Sequence, residues 1–83
     1  MRLEDVIQEL EARSPRFERL VNVCTHFFGK PRQAGSHQIF KMPWRGDPRV
    51  NLQRQKDGKP KPYQVKQVLD ALRKLKATGP GGS

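Results

Sequence analysis

Apolar side chains recur every three or four residues in three segments of the chain, which is the pattern of amphipathic helices. The first segment is expected to end near Arg13, because Pro15 disfavours helical geometry for Ser14. Ser14 is a good N-cap residue and Pro15 suits a first helical position, so a second helix is predicted over 15–28. Pro62 is predicted to open the third. The three stripes are Leu3, Val6, Ile7 and Leu10; Phe17, Leu20, Val21, Cys24, Phe27 and Phe28; and Val65, Val68, Leu69, Leu72 and Leu75.

Between the second and third helices the pattern changes to alternation of apolar and polar residues, which predicts strands. The better strand is expected over 37–42, and the next one over 49–55. Residues 43–48, with one glycine and two prolines, form the predicted turn between them. Residues 29–34 are either a loop or a short edge strand, because Pro31 has no N–H group for an interior ladder.

These elements predict an α+β fold, a two-layer sandwich in which two helices cover one face of an antiparallel sheet. The open face would present His37 or its neighbours together with Arg49, Asn51 and Gln53. A chain of 83 residues holds one domain with a small core, which a bound partner would help to stabilise.

The positive charge is confined to one part of the chain. The net charge is +9, but residues 1–28 contain four arginines and five acids, a balance of −1. Residues 29–83 contain thirteen lysines and arginines and three acids, a balance of +10. Phosphate backbones are the commonest partners of such a surface. The alternatives are a face kept positive for solubility and a docking surface for an acidic protein.

The cysteine and histidine content argues against a stabilising disulfide or metal. Cys24 is the single cysteine and lies on an apolar helix face, so we expect it in the core. No cysteine–histidine cluster has the spacing of zinc ligands, and no cofactor is predicted. No apolar run approaches the roughly 18 residues of a membrane span, and the first residues lack the apolar segment of a secretory signal. We therefore expect a cytoplasmic protein that does not bind membranes.

His37 is the leading candidate for chemistry. An imidazole cleaves RNA without a metal if it takes the proton of the 2′-hydroxyl or protonates the leaving 5′-oxygen. Ser36 offers a hydroxyl to a phosphate oxygen, and Gly35 lets backbone approach closely. The alternative is an ordinary surface histidine at the start of a strand.

Other polar and aromatic residues are weaker candidates than His37. Trp44 is expected to close the turn onto the core, with base stacking as the alternative. His26 lies off the apolar stripe and is expected to be exposed, while Asp47 and Asp57 are expected to form turns. Several basic residues either bind phosphate, which we favour, or are simply solvated: Lys41, Arg45, Arg49, Lys59, Lys61 and Lys66.

Around Gly35-Ser36-His37 the chain resembles the HicA family of toxins, the small RNA-cleaving partners in bacterial toxin–antitoxin pairs. That family has a helix, then Gly-Ser-His entering a strand that ends near a proline, a second strand, a linker and a C-terminal amphipathic helix. The resemblance covers about residues 15–76. The segments that match, in order, are Gly35-Ser36-His37, Ile39-Phe40, Pro43, Val50-Asn51-Leu52 and the helix over 65–75.

The resemblance implies a fold like the double-stranded-RNA-binding domain, α-β-β-β-α, over 15–76. Residues 1–14 would then be a helical extension, and the Gly-rich residues 77–83 a disordered tail. It also implies metal-independent cleavage of mRNA, with His37 in the place of the family's essential histidine, and a HicB-type antitoxin that covers the active site. The chain is thus expected to be a type II toxin. The alternative is a double-stranded-RNA-binding module without catalysis.

Overall fold

The computed structural model describes residues 1–46 and 49–78. Over these residues the α+β prediction is confirmed, because three helices accompany one antiparallel sheet of strand order β1-β2-β3. The elements are helix α1 (Leu3–Ala12), helix α2 (Phe17–Phe28), strand β1 (Arg32–Ala34), strand β2 (His37–Phe40), strand β3 (Val50–Gln53) and helix α3 (Pro62–Thr78).

Helix α2 begins later than the sequence predicts. Ser14 is not the N-cap and Pro15 is not the first helical residue; the N-cap is Arg16, whose side chain makes no capping hydrogen bond. The N–H of Phe17 instead donates to the carbonyl oxygen of Gly58 at 3.1 Å. Gly58 has a φ of +77°, which favours glycine, and a Cβ there would lie 2.8 Å from the Arg16 guanidinium. A distant loop thus replaces the local cap.

The sheet strands are shorter than predicted. Strand β2 ends before Met42, strand β3 occupies only part of 49–55, and 29–34 contains the edge strand β1. Strands β1 and β2 are joined by the two-residue loop Gly35 and Ser36, and Gly35 has the positive φ of +60° that such tight hairpins need. This loop sets the register of the two strands, with Ala34 and His37 as the first facing pair.

One core joins the three helices to one sheet face. Helix α1 packs on α3 and buries Val6, Ile7 and Leu10 in the same cluster as the sheet residues. Ion pairs flank this contact, from Arg73 to Glu11 and from Lys76 to Glu4. The remaining buried apolar residues are Phe17, Leu20, Val23, Cys24, Phe40, Met42, Val50, Leu52, Val65, Val68, Ala71 and Leu72.

A bidentate ion pair ties α1 to α2 as well. Arg19 donates from Nε and Nη2 to the two carboxylate oxygens of Glu9, at 2.9 and 2.8 Å. These hydrogen bonds hold the pKa of the Glu9 carboxyl below its ordinary value. Helix α1 therefore contacts both other helices.

Three further sequence predictions are compared with the structure residue by residue. Val21 is only partly buried and Val23 lies inside instead, because α2 contacts both β2 and α3. Asp57 accepts a hydrogen bond from the N–H of Lys59 at 2.9 Å, as expected of a turn former. Helix α3 includes Ala77 and Thr78, the first residues of the predicted tail. Asp47 and residues 79–83 lie outside the described residues.

Burial of Cys24 predicts a specific loss of stability at alkaline pH. Burial raises the pKa of this thiol from 9.0 to about 12. Above pH 9.0 the unfolded chain therefore loses the proton while the folded chain keeps it, so the free energy of unfolding falls as pH rises towards 12. The slope approaches about 1.4 kcal/mol per pH unit. Urea titrations should show this extra slope in the wild type and not in Cys24→Ala; parallel curves would contradict it.

Candidate nucleic-acid interface

The sheet presents two faces of different character. Phe40, Val50 and Leu52 lie on the helix side and are buried. The side chains that alternate with them point the other way, and the antiparallel register places His37 opposite Gln53. We call this second surface the open face, since every residue on it is partly or fully exposed. It consists of Arg32, Ala34, His37, Ile39, Lys41, Arg49, Asn51 and Gln53.

The imidazole of His37 is held by a side chain of the neighbouring strand. Nδ1 of His37 lies 2.8 Å from Oδ1 of Asn51, its diagonal neighbour across β2 and β3. An amide oxygen only accepts hydrogen bonds, so Nδ1 carries the proton in this pair. In the neutral ring the lone pair is then on Nε2. Asn51 thus fixes the ring and leaves Nε2 as the nitrogen for proton transfer.

Ser36 lies at the same end of the sheet as the imidazole. Nε2 of Gln53 donates to Oγ of Ser36 at 3.3 Å, and Gln53 is the residue directly opposite His37. Because Oγ accepts this bond, its own hydrogen remains a donor for another group. The hydroxyl and the imidazole are therefore positioned side by side through two amide side chains of β3.

The predicted phosphate-binding residues fall into separate groups. Lys41 and Arg49 line a shallow pocket of about 250 Å³ on the open face, around Ile39 and beside Arg32. Arg45 lies in the turn after β2, in a depression that Lys41 also lines. The structure thus brings Lys41 and Arg49 onto the face that carries His37.

The other predicted lysines do not line either of these two depressions. Lys59 and Lys61 belong to the loop after β3 and line a depression of about 550 Å³. That loop leaves β3 at the end of the sheet where His37 lies. Lys66 is on α3, in the layer behind the sheet, and pairs with Asp70 at 3.8 Å. Lys66 therefore does not share a surface with the imidazole.

Two aromatic predictions agree with the structure. Trp44 is partly buried against the core, and its ring meets Phe28 edge to face at a centroid distance of 6.0 Å. His26 is exposed, with its ring 4.7 Å from that of Phe27. Trp44 therefore closes the turn onto the helices, as the favoured interpretation expects.

Sequence reasoning missed one member of the open face, Arg32. Asn51 and Gln53 were predicted to lie on the open face, but alternation alone does not show which side chains they contact. Arg32 was missed because the strand that carries it was ambiguous beside Pro31.

Comparisons with protein-family models, with curated proteins and with solved structures find no match to this chain. Among the residues described, no helix is long and apolar enough to cross a membrane. Within the same residues, no group of three or more histidine, cysteine or acidic side chains is arranged to hold a metal ion. The functional interpretation therefore depends on the open face.

Proposed function

We propose that this chain is a HicA-type toxin that cleaves mRNA on the open face of its sheet, with His37 as the general acid–base. The observation that carries the proposal is the hydrogen bond from His37 Nδ1 to Asn51 Oδ1, at 2.8 Å, on a face lined by cations. The order of helix, three strands and helix from α2 to α3 supports a fold like the double-stranded-RNA-binding domain. The setting is the cytoplasm, and the neutralising partner is a HicB-type antitoxin.

The reaction needs one proton removed and one supplied. The 2′-oxygen of RNA forms a bond to the adjacent phosphorus while the bond from phosphorus to the 5′-oxygen breaks. Nε2 of His37 takes the 2′-hydroxyl proton or, when the ring is charged, donates one to the 5′-oxygen; water exchanges the other proton. Asn51 accepts from Nδ1–H in both protonation states, so the ring does not turn during the transfer. The products are a 2′,3′-cyclic phosphate and a 5′-hydroxyl.

Cations along the same face would hold the substrate. Arg32 faces Ile39 across β1 and β2. Lys41 follows Ile39 by two residues in the chain and lines the same pocket. Positive charge that is already in place stabilises the negative charge that develops on phosphate oxygens during the attack. The free hydrogen of Ser36 Oγ is a further donor to the phosphate. Binding should therefore weaken as salt concentration rises.

The test is RNA cleavage by the purified chain in EDTA, together with growth arrest when the chain is expressed in bacteria. Wild-type protein should cut RNA to a cyclic phosphate, spare DNA of the same sequence and stop growth. His37→Ala should bind RNA but do neither. Co-expression of a HicB-type antitoxin should restore growth. Toxicity of His37→Ala equal to that of the wild type, or loss of cutting in EDTA, would refute the proposal.

One observation favours a rival function. Among the described residues, Asn51 is the one side chain that hydrogen-bonds His37, and it is neither an acid nor a base. A double-stranded-RNA-binding module without catalysis needs no second proton carrier. This rival function predicts that the wild type and His37→Ala both bind RNA with the same salt-sensitive affinity. It also predicts that neither protein cleaves RNA.

A further inference from the structure

The open face continues into an aromatic groove beyond the end of β2. Lys41 lines both the pocket around Ile39 and a larger depression of about 650 Å³. We call this depression the Trp44 groove. It is lined by Phe27, Phe28, Lys41, Met42, Pro43, Trp44 and Arg45. A single lysine thus joins the predicted catalytic face to the groove.

The Trp44 groove combines aromatic rings with positive charge. Three of its lining residues are aromatic and two are cations, and none of the described residues that line it is acidic. Unpaired nucleotides carry flat bases next to charged phosphates. Their bases stack on aromatic side chains, while lysine and arginine contact the phosphate backbone. A duplex hides its bases and offers this groove only its phosphates.

Trp44 is held in place before any ligand arrives. Its ring meets Phe28 at an interplanar angle of 87°, and the Lys74 ammonium lies 4.8 Å from the ring centroid on the α3 side. A side chain that is already immobilised loses little rotamer freedom when it is stacked upon. The residue that closes the turn is therefore also a rigid platform for a flat ligand.

The spacing along β2 fits a strand of several nucleotides. His37 and Lys41 lie four residues apart on one face, which is on the order of 13 Å in an extended strand. Trp44 follows Lys41 by three residues, in the bend after β2, and both line the Trp44 groove. A single nucleotide bound at His37 does not extend to the Trp44 groove. A continuous RNA strand that extends from His37 to the groove passes Arg32 and Lys41. The combination of these cations with the aromatic rings of the groove favours RNA over an acidic protein segment as the occupant.

We propose that the Trp44 groove binds a base of the unpaired RNA strand whose scissile phosphate lies at His37. Arg32 and Lys41 contact the phosphates between the two points, and Arg45 contacts a phosphate at the groove. The inference rests on the proposed function, because the strand direction is set by the reaction at His37. It adds a second binding site and specifies unpaired rather than duplex RNA.

The single tryptophan makes the test direct, since all indole emission comes from Trp44. The full chain carrying His37→Ala, which should not cut RNA, is titrated with short oligouridine and oligoadenosine strands and with the same strands annealed to their complements. Unpaired strands should quench the emission to saturation, and duplexes should not. Equal responses to both forms, or none to either, would overturn the groove assignment.

Substitutions in the same background locate the contacts, with binding followed by the anisotropy of labelled RNA. Trp44→Leu should weaken binding of unpaired RNA roughly 5- to 100-fold. Because this residue also packs on the core, Arg45→Gln gives an independent test: it should lower the slope of log affinity against log salt by about 0.7. Arg13→Gln, which removes an equal charge after α1, should change neither quantity. Equal effects of Arg45→Gln and Arg13→Gln would overturn the proposal.

The outcomes separate this site from the catalytic proposal. Cleavage by the wild type without any response of Trp44 to RNA overturns the groove alone. A saturable response to unpaired RNA without cleavage supports the groove and refutes the catalytic role of His37. Polyglutamate is the probe for the rival occupant, and quenching by it as strong as that by RNA would assign the groove to an acidic protein.

Discussion

RNA cleavage is expected to fall by roughly 10² to 10⁴-fold when His37 is replaced by glutamine, the range typical of a general acid or base. Glutamine has a similar reach and still forms hydrogen bonds, but it does not exchange protons near neutral pH. RNA affinity and the melting temperature should stay close to those of the wild type, because His37 is partly exposed and outside the core. Single-turnover rates with labelled RNA measure cleavage, and fluorescence anisotropy measures RNA affinity. A wild-type rate in His37→Gln would exclude proton transfer by this residue.

Asn51 allows the catalytic role to be separated from the positioning role. Asn51→Ala removes the acceptor that fixes Nδ1, and we expect the cleavage rate to fall about tenfold with little change in RNA affinity. Asn51→Asp keeps an oxygen at that position and should restore most of the rate. Asn22→Ala is the matched control, since it deletes an exposed amide from α2. A rate that falls equally in Asn51→Ala and Asn51→Asp would show that the acceptor is not what matters.

Phe40→Ala is expected to lower the free energy of unfolding by about 3–5 kcal/mol. Phe40 is fully buried between β2 and the helices, so alanine leaves a cavity there. A domain of this size has roughly 4–12 kcal/mol of stability in total. The variant should therefore be largely destabilised in urea titrations followed by circular dichroism.

The adjacent residue is the natural control for Phe40. Ile39 points to the open face and is only partly buried, so Ile39→Ala should cost about 1 kcal/mol. The difference between the stability losses of Phe40→Ala and Ile39→Ala therefore shows which of the two side chains points into the core. Similar losses in the two variants would contradict the assignment of the open face.

The helical stripes of α1 and α3 were readable from sequence because each helix buries one continuous side. The start of α2 was not, since the N–H of Phe17 is satisfied by Gly58, which local sequence does not place nearby. Gln64 shows the same limit: it is only 1 % exposed on α3, although no hydrophobic pattern puts a glutamine inside. Contacts between distant segments decided both features.

The candidate site was predictable as a set of residues but not as an arrangement. Alternation placed His37 or its neighbours on the face of Asn51 and Gln53, because the side chains of a strand repeat every two residues. The hydrogen bonds among them depend on the register of β2 with β3, which the local pattern leaves open. Charge alone grouped Lys66 with Lys41, although the two lie on different layers.

The packing of α1 against α3 has a consequence for synthesis on the ribosome. About fifty residues separate Ala12 from Pro62, so the apolar side of α1 is made long before the helix that covers it. At the usual rates of translation this interval lasts on the order of 3–10 s. The β1–β2 hairpin forms from near neighbours and needs no such delay. Val6, Ile7 and Leu10 therefore remain uncovered by α3 in the nascent chain until that last helix emerges.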